Sequence, residues 1–320
     1  MALPESLKGR LRLPLIGAPM FIVSCPALVI AQCKAGIVGS FPALNARPQE
    51  KLDEWITEIK ESLAEHSAEH PGEPVAPFAV NQIVHQSNSR LYTDMETCVK
   101  HEVPIIITSL RPPGDVVKAV HAYGGMVFHD VISLRHARKA IEQGADGIIA
   151  VCAGAGGHAG PLSPFALVKE IRREFDGVLI LSGCMSNGND ILAAQAIGAD
   201  LAYIGTRFIA TNEAHAKPEY KEMIADSTAG DIVYSSLFSG VLGNYLKGSV
   251  ANAGFDPDNL PEGDKTLMDF AKGDNEAKAW RDIWSAGQGV GSIDETLPAR
   301  DVILRMEAEY TATQERLGVA

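Results

Sequence analysis

Residues 144–151 read GADGIIAV and residues 198–204 read GADLAYI, so one short pattern occurs twice in the chain. In both places a Gly-Ala-Asp turn is followed by a short, continuously apolar run. Such a run is typical of a strand that is buried on both faces of a parallel sheet. The repeated turn indicates the same connection from a helix into a strand, and the surrounding sequence continues this alternation.

Eight strands of this kind are predicted in the first two thirds of the chain, with helices between them. The strands are predicted at residues 14–17, 37–41, 77–81, 104–108, 125–129, 146–151, 178–181 and 200–204. The helices are predicted at residues 26–35, 48–66, 88–101, 114–122, 133–143, 164–174 and 188–197, and a short helix begins at Gly205. Right-handed crossovers leave a closed barrel or an open doubly wound sheet, and the count of eight favours the barrel. The predicted fold class is therefore α/β, a (β/α)8 TIM barrel.

The pattern changes after Thr211. Residues 212–283 carry few strand signals and many polar, glycine and proline residues, which predicts a smaller, mostly helical inserted domain over the barrel mouth. Residues 1–211 and 284–320 are assigned to the barrel. A last amphipathic helix, at about 297–317, is expected to pack back on it.

The charge and hydropathy of the chain exclude several classes of protein. Its 320 residues carry 40 acidic and 28 basic side chains, a formal net charge of −12, and no basic patch, so no nucleic-acid partner is expected. No apolar run reaches the roughly 18 residues of a membrane span. No apolar segment follows the charged N-terminus, so no signal peptide is expected. These observations predict a cytoplasmic protein, and they leave a homodimer open.

Neither the cysteines nor the histidines indicate a metal site. The five cysteines are scattered and form no Cys-x-x-Cys, which is typical of reduced thiols in the cytoplasm. The nine histidines include no pair with convincing spacing for a metal. The cysteines are Cys25, Cys33, Cys98, Cys152 and Cys184.

Small and polar residues follow the seventh and eighth predicted strands. These are Ser182-Gly183-Cys184 and Gly205-Thr206. Backbone N–H groups at glycines and at the start of a helix can bind an anion, and TIM barrels frequently bind phosphate after these two strands. The alternative is that both glycines only permit tight turns. No Walker A motif is present and no Gly-x-Gly-x-x-Gly follows the first strand, which argues against a Rossmann dinucleotide site.

Three other strand ends carry candidate site residues. His158 lies in the small-residue loop 153–161, AGAGGHAGP, where a flat ring could approach the backbone and where a histidine could transfer a proton. The alternative is a histidine that caps the loop. Asn81 ends the third strand and indicates a ligand contact or a cap. Residues 17–20, GAPM, follow the first strand, although Met20 is more often a packing residue.

Together these motifs resemble the nitronate monooxygenase family, formerly called 2-nitropropane dioxygenases. The resemblance rests on residues 17–20, 79–81, 156–160, 182–183 and 205–208, read in order along a barrel. It covers most of residues 14–211 and resumes at 284–294. The family includes flavin-dependent enoyl-acyl-carrier-protein reductases and NADH:quinone reductases, and the resemblance implies a TIM barrel that binds FMN.

The resemblance also implies roles for individual residues. His158 matches the family's catalytic histidine. Gly156 would lie beside the flavin ring. Gln288 is expected to contact the flavin or the substrate, or to serve only the loop. The remaining positions implied to contact the cofactor are Ala18, Pro19, Met20 and Asn81 at the flavin, and Ser182, Gly183, Gly205 and Thr206 at its phosphate.

Two positions differ from the family pattern. Cys184 stands where the family usually has a second glycine, so its side chain must point away from the phosphate. Asp130 ends the fifth strand, near the flavin, where several members have lysine or serine. An anion at this position would disfavour a reduced, anionic flavin and would shift the redox potential or the substrate.

Two enzymatic functions follow from the resemblance. The first is FMN-dependent oxidation of nitronates or nitroalkanes by molecular oxygen to a carbonyl compound and nitrite, in which neutral His158 accepts a proton from the α-carbon or orients the nitronate. The second is an NAD(P)H-dependent flavin reductase of enoyl thioesters or quinones, in which His158 donates a proton or anchors the substrate. The acidic surface disfavours docking of an acyl carrier protein, which is itself acidic. A flavin-binding sensor without turnover is the non-enzymatic alternative.

Overall fold

The computed structural model describes residues 3–263 and 282–319, and a sheet of eight parallel strands forms its centre. The order across this sheet is β1-β9-β8-β6-β5-β4-β3-β2, where β7 is a two-residue strand outside the barrel. A parallel bridge between Ile16 and Val38 brings the two edges of the sheet together, so the barrel is nearly closed. The strands are β1 (Leu15–Gly17), β2 (Gly39–Pro42), β3 (Phe78–Val84), β4 (Ile105–Leu110), β5 (Met126–Val131), β6 (Gly147–Val151), β7 (Gly157–His158), β8 (Val178–Ser182) and β9 (Leu201–Ile204).

Helices connect the barrel strands and cover their outer face. Two apolar clusters lie between the strands and these helices. The helices are α1 (Pro26–Lys34), α2 (Lys51–Glu69), α3 (Leu91–Lys100), α4 (Gly114–His121), α5 (Leu134–Glu142), α6 (Pro164–Arg172), α7 (Gly188–Ala196) and the short α8 (Thr206–Ile209). The prediction of an α/β TIM barrel is confirmed.

The interior of the barrel is packed with apolar side chains. Ile16, Ile107, Phe128 and Ile149 are fully buried there, as inward-facing residues of a TIM barrel are. Leu7, from the segment that precedes β1, belongs to the same cluster and fills the amino-terminal end. This packing leaves the carboxyl-terminal end of the barrel for an open site.

Strand β3 is longer than predicted. The sequence predicts its end at Asn81, but pairing with β4 continues to Val84. Asn81 therefore lies inside a strand and is 5% exposed, while Gln82 points to the outer layer and donates to Cys98 Sγ at 3.5 Å. A polar residue inside a barrel strand is tolerated here because Asn81 lines a cavity and finds hydrogen-bond partners.

The described part of the insertion contains a hairpin that the sequence analysis does not predict. Its elements are α9 (Pro218–Asp226), β10 (Ile232–Ser235), β11 (Gly243–Leu246) and α10 (Lys247–Asn252), and the chain ends with α11 (Ala299–Leu317), which packs on α7. Both hairpin strands have only four residues, too few for a clear alternation in the sequence. Residues 264–281 of the predicted insertion lie outside the described residues.

The hairpin is attached to the loop that carries His158. Strand β11 pairs antiparallel with β7, with Gly243 opposite His158 and Asn244 opposite Gly157. Asn244 Nδ2 donates to the carbonyl of Ala155 at 2.6 Å, and Tyr234 donates to the carbonyl of Ala159 at 2.7 Å. The insertion therefore holds this loop through three antiparallel strands and two side-chain hydrogen bonds.

The described residues also bear on the expectations about membrane spans, cysteines and metal sites. Among helices formed by residues 3–263 and 282–319, none combines the length and apolar character of a membrane span. All five cysteines are free. Within those residues no three histidine, cysteine or acidic side chains are grouped as a metal site would require.

Candidate active site

One cavity of about 960 Å³ opens at the carboxyl-terminal end of the barrel. Most of the residues singled out in the sequence line it, although they come from six different strand ends. They are Ala18, Pro19, Met20, Asn81, Asp130, Gly156, His158, Ser182, Gly183, Gly205 and Thr206. Gln288 does not line the cavity. Its backbone N–H donates to Gly154 at 2.8 Å, and its Oε1 lies 3.8 Å from Cys184 Sγ.

The turns after β8 and β9 form one end of the cavity. Gly183 has φ +137°, a conformation that L side chains rarely adopt, so glycine is required there. Helix α8 begins directly after Gly205, and the first N–H groups of a helix have no partner within it. The Thr206 hydroxyl accepts from the N–H of Gly287 at 2.9 Å and ties the turn to the returning chain. This end therefore offers backbone donors suited to a phosphate.

Cys184 follows Gly183 and also has a positive φ, of 57°. Its Sγ lies 3.4 Å from the carbonyl oxygen of Ala153. Burial raises the pKa of the thiol, so it carries no charge that would oppose an anion at neutral pH. The side chain thus lies against the loop after β6.

Glycines also bring the loop after β6 close to the returning chain. A Cβ at Gly156 would lie 2.8 Å from the backbone N of Gly287 and 3.2 Å from Thr206 Oγ1. Gly156 is itself exposed to the cavity. The result is a wall of backbone without side chains, which a flat ring can approach.

His158 stands on the next turn of this loop, in β7. Its Nε2 is 2.8 Å from the Ser239 hydroxyl, which donates its one proton to the carbonyl of Val241 at 3.1 Å. The imidazole Nε2–H is therefore the donor to Ser239. Burial lowers the pKa of His158 to about 4, well below its ordinary value of 6.5. The imidazole is therefore neutral at pH 7. Ser239 lies 81 residues away in the insertion, and the sequence offers no signal for this pair.

A polar chain crosses the floor of the cavity from β3 to β5. Asn81 Nδ2 donates to Ser109 Oγ at 2.9 Å, and Ser109 donates to Asp130 Oδ2 at 2.5 Å. Burial raises the pKa of Asp130 to about 7, against which the Ser109 hydrogen bond acts in the opposite direction. Tyr203, 7% exposed, lines the same floor. The carboxyl is therefore not the fixed anion expected from the sequence.

Sequence reasoning missed Ser109 and Tyr203. Ser109 is a polar residue just beyond the predicted end of the fourth strand, so the argument used for Asn81 would have found it. Tyr203 lies in a continuously apolar strand, and its hydroxyl gave no separate signal. Asn45 was also missed, although it holds the loop after β1 by donating to the carbonyls of Met20 and Ser24 at 3.0 and 2.8 Å.

These features fit a flavin mononucleotide. The volume is in the range of cofactor pockets, one end supplies backbone donors for a phosphate, and the glycine wall leaves room for a planar ring. At the floor, Asp130 Oδ1 is shielded from water and has no hydrogen-bond partner among the described residues. Other atoms of Asp130 line the cavity, so a bound ring would lie near this carboxyl.

Comparisons with known proteins agree with this fit. The family model for nitronate monooxygenase matches residues 6–309. A nitronate monooxygenase of Paraburkholderia phytofirmans is 26% identical over 95% of this chain and 94% of its own length. The putative monooxygenase Rv1533 of Mycobacterium tuberculosis is 29% identical over 70% of this chain, and the match spans 63% of that protein.

A solved structure is similar over almost the same extent. FabK from Thermotoga maritima has a TM-score of 0.76 and 25% sequence identity, and the superposition covers 96% of this chain and 95% of that one. The family model extends from before β1 into α11 and so includes the barrel and the segments that surround the cavity. The chain therefore belongs to the nitronate monooxygenase family of flavin-dependent oxidoreductases.

Proposed function

We propose that the protein binds FMN and oxidises nitronates, and more slowly their parent nitroalkanes, with molecular oxygen to a carbonyl compound and nitrite. The observation that carries this proposal is a neutral, half-buried imidazole, His158, in the cavity that also offers a phosphate site and a glycine wall. The similarity to the nitronate monooxygenase of Paraburkholderia phytofirmans supports the substrate class.

In this proposal FMN supplies the electron transfer to oxygen, and the chain positions the reactants. Gly183, Gly205 and Thr206 hold the phosphate with backbone N–H groups. Asn81 and the loop of Ala18, Pro19 and Met20 contact the ring system. Gly156 provides the flat wall.

The state of His158 argues for nitronates over nitroalkanes. A base with a pKa of about 4 is neutral throughout the physiological range, but it accepts a proton from carbon with little driving force. A nitronate is already ionised and needs only binding and orientation. A neutral imidazole can hold it in place by packing, without forming a charged pair.

We also propose that the described insertion residues, 212–263 and 282–283, roof the barrel mouth and help to select the substrate, beside a barrel formed by the described residues up to 211 and from 284 onward. Phe238 and Val241 of the described insertion line the cavity. Tyr220 stacks on Trp284, with ring centroids 4.9 Å apart, at the same rim. Apolar and aromatic side chains on the roof favour substrates whose nitronate group carries an alkyl chain.

Turnover without a nicotinamide cofactor tests the proposed reaction. Purified protein supplied with propane 2-nitronate in air should consume oxygen and release nitrite in the absence of NADH. Oxygen electrode traces and a colorimetric nitrite assay measure the two quantities. Anaerobic mixing with NADH is the matched experiment. Bleaching of the flavin by NADH, without nitronate turnover, would contradict the proposal.

Bleaching of the flavin by NADH without nitronate turnover would support a second function, a flavin reductase of enoyl thioesters or quinones. One observation favours this candidate. Asp130 has a pKa of about 7, so a large fraction of it is protonated near neutral pH and could supply the proton that a reductase delivers. The likeness to FabK is compatible with it.

The identity of the cofactor is a separate prediction. Heat-denatured protein should release one flavin per chain that co-migrates with FMN in chromatography. The physical reason is that the cavity has one set of backbone donors for a phosphate, at Gly183 and Gly205–Thr206. FAD carries two phosphate groups and an adenosine that would need further contacts. Released FAD would contradict the assignment, and authentic FMN and FAD serve as standards.

A further inference from the structure

The hydrogen bonds that link Asn81, Ser109 and Asp130 on the cavity floor run in one direction. Asn81 Nδ2 lies 3.3 Å from the carbonyl oxygen of Ile107 as well as 2.9 Å from Ser109 Oγ. A carbonyl only accepts, so the amide nitrogen faces both groups and donates to both. The Ser109 hydroxyl accepts from Asn81 and has one proton to give. It gives that proton to Asp130 Oδ2, which must therefore accept.

This direction determines where a proton on Asp130 resides. Oδ2 is engaged as an acceptor, and Oδ1 is shielded from water without a partner among residues 3–263 and 282–319. A buried carboxylate oxygen without a donor is costly, whereas a carboxylic acid places its proton on that oxygen. The protonated form with the proton on Oδ1 thus avoids a buried charge, and the ionised form leaves one charged oxygen without a donor.

Among residues 3–263 and 282–319, no cation acts on the pKa of Asp130 in the opposite direction. Ser109 of β4 and Asn81 of β3 are uncharged. The neighbouring strand β6 presents Ile149 opposite Asp130. Tyr203 of β9 faces the carboxyl as the other titratable group, and its pKa is raised by burial and by Asp130. The phenol is therefore also neutral at pH 7.

We propose that Asp130 holds a proton on Oδ1 and is uncharged where it lines the flavin cavity, so that its ionisation weakens binding of reduced flavin relative to oxidised flavin. The inference rests on the proposed flavin site. A reduced flavin is richer in electrons than an oxidised one. A negative charge that appears on Asp130 therefore repels the reduced form more strongly than the oxidised form.

Spectroelectrochemistry of the flavin-loaded protein at pH 6 and pH 8 tests the proposal. The measured potentials, compared with those of free FMN at the same pH, give the preference for reduced over oxidised flavin. We expect this preference to fall about tenfold between pH 6 and pH 8 in the wild type, which corresponds to about 30 mV for a two-electron couple. Asp130→Asn should show no fall and should resemble the wild type at pH 6 at both values.

Two further variants separate titration of Asp130 from a structural effect. Ser109→Ala removes the donor to Oδ2, which destabilises the carboxylate, so the transition should move to higher pH. Asp146 lies at the amino-terminal end of β6, where its Oδ2 accepts a hydrogen bond from the N–H of Val127. Asp146→Asn should therefore show the same fall in preference for reduced flavin as the wild type. If the preference for reduced flavin falls equally in Asp130→Asn and in the wild type, the proposal is overturned. The absence of any fall in the wild type would overturn it too.

An infrared titration decides the question even if a variant binds no flavin. In the apoprotein, raising the pH through 7 should remove a carboxylic-acid carbonyl band from the wild type, and Asp130→Asn should lack that change. A wild type without this band at pH 6 would overturn the proposal. Neither measurement uses a nitronate, so failure to oxidise nitronates would count against the proposed function alone.

Discussion

Replacing His158 with alanine should lower kcat/KM for a neutral nitroalkane by about 10²-fold or more, in line with the contribution of a positioned general base. With the corresponding nitronate the loss should be smaller, because no proton has to leave carbon. The bound FMN should remain, since His158 contacts Ser239 of the insertion and not the turns proposed to hold the phosphate. Steady-state kinetics on both substrates and the flavin absorbance of the purified variant measure these effects.

Two variants sharpen the interpretation. His158→Asn keeps a hydrogen-bond donor without a base, so it should recover nitronate turnover more than nitroalkane turnover. His121→Ala is the matched control, because His121 pairs with Asp146 at the opposite end of the barrel. Full nitroalkane activity in His158→Ala would show that the histidine is only a loop residue, and loss of FMN would assign it a structural role.

The pH profile follows from the lowered pKa of His158. The unfolded or exposed imidazole titrates near 6.5, but in the folded protein the neutral form persists down to about pH 4. Nitroalkane turnover should therefore show no inflection between pH 5 and 8 that His158→Ala removes. An inflection near 6.5 that disappears in this variant would mean that the histidine is solvated during turnover.

Replacing Gly183 with alanine should weaken FMN binding by about 10²-fold or more. Its φ of +137° is rarely available to an L residue, and a Cβ would lie 3.1 Å from the carbonyl of Ala153, so the turn must move. Movement of the turn would break hydrogen bonds to a charged phosphate, each worth roughly 1.5–3 kcal/mol, and two of them account for the expected factor. Titration of apoprotein with FMN, followed by quenching of flavin fluorescence, measures the affinity.

The control for this variant isolates the cost of the backbone conformation. Gly254 also has a positive φ, of 87°, and a Cβ there would meet nothing within 4 Å. It lies outside the cavity lining, so Gly254→Ala should lose some stability and keep its affinity for FMN. Equal affinities for FMN in Gly183→Ala and the wild type would show that the turn after β8 does not bind the phosphate.

The sequence was sufficient to predict the barrel because the apolar pattern within each strand indicates a buried parallel sheet. A buried parallel strand is continuously apolar, and Ile148, Ile149 and their equivalents in the other strands carry this signal without tertiary information. The residues at the strand ends followed from the same logic, since the carboxyl ends of all eight strands meet at one face. This is why Gly183 and Asn81 could be placed near one another although they are about one hundred residues apart.

What the sequence could not show depends on contacts between distant segments. The pairing of β7 with β11 joins positions more than 80 residues apart, and neither segment has a strong strand pattern. The pKa of His158 depends on its burial in the folded protein. The pKa of Asp130 depends on Ser109 in a neighbouring strand and on an apolar surrounding. Titration behaviour is therefore a property of the assembled site.

The sheet formed by β7, β10 and β11 has a consequence for engineering the enzyme. Because the strand that carries His158 is itself an edge of that sheet, exchanging the insertion for one from a relative replaces the hydrogen-bonding partner of the histidine's own backbone. The proposed roles of the insertion in specificity and of His158 in proton transfer are thus inherited together. A grafted insertion must reproduce the register of Gly243 with His158. Only then can a change in substrate preference be attributed to the new residues over the barrel mouth.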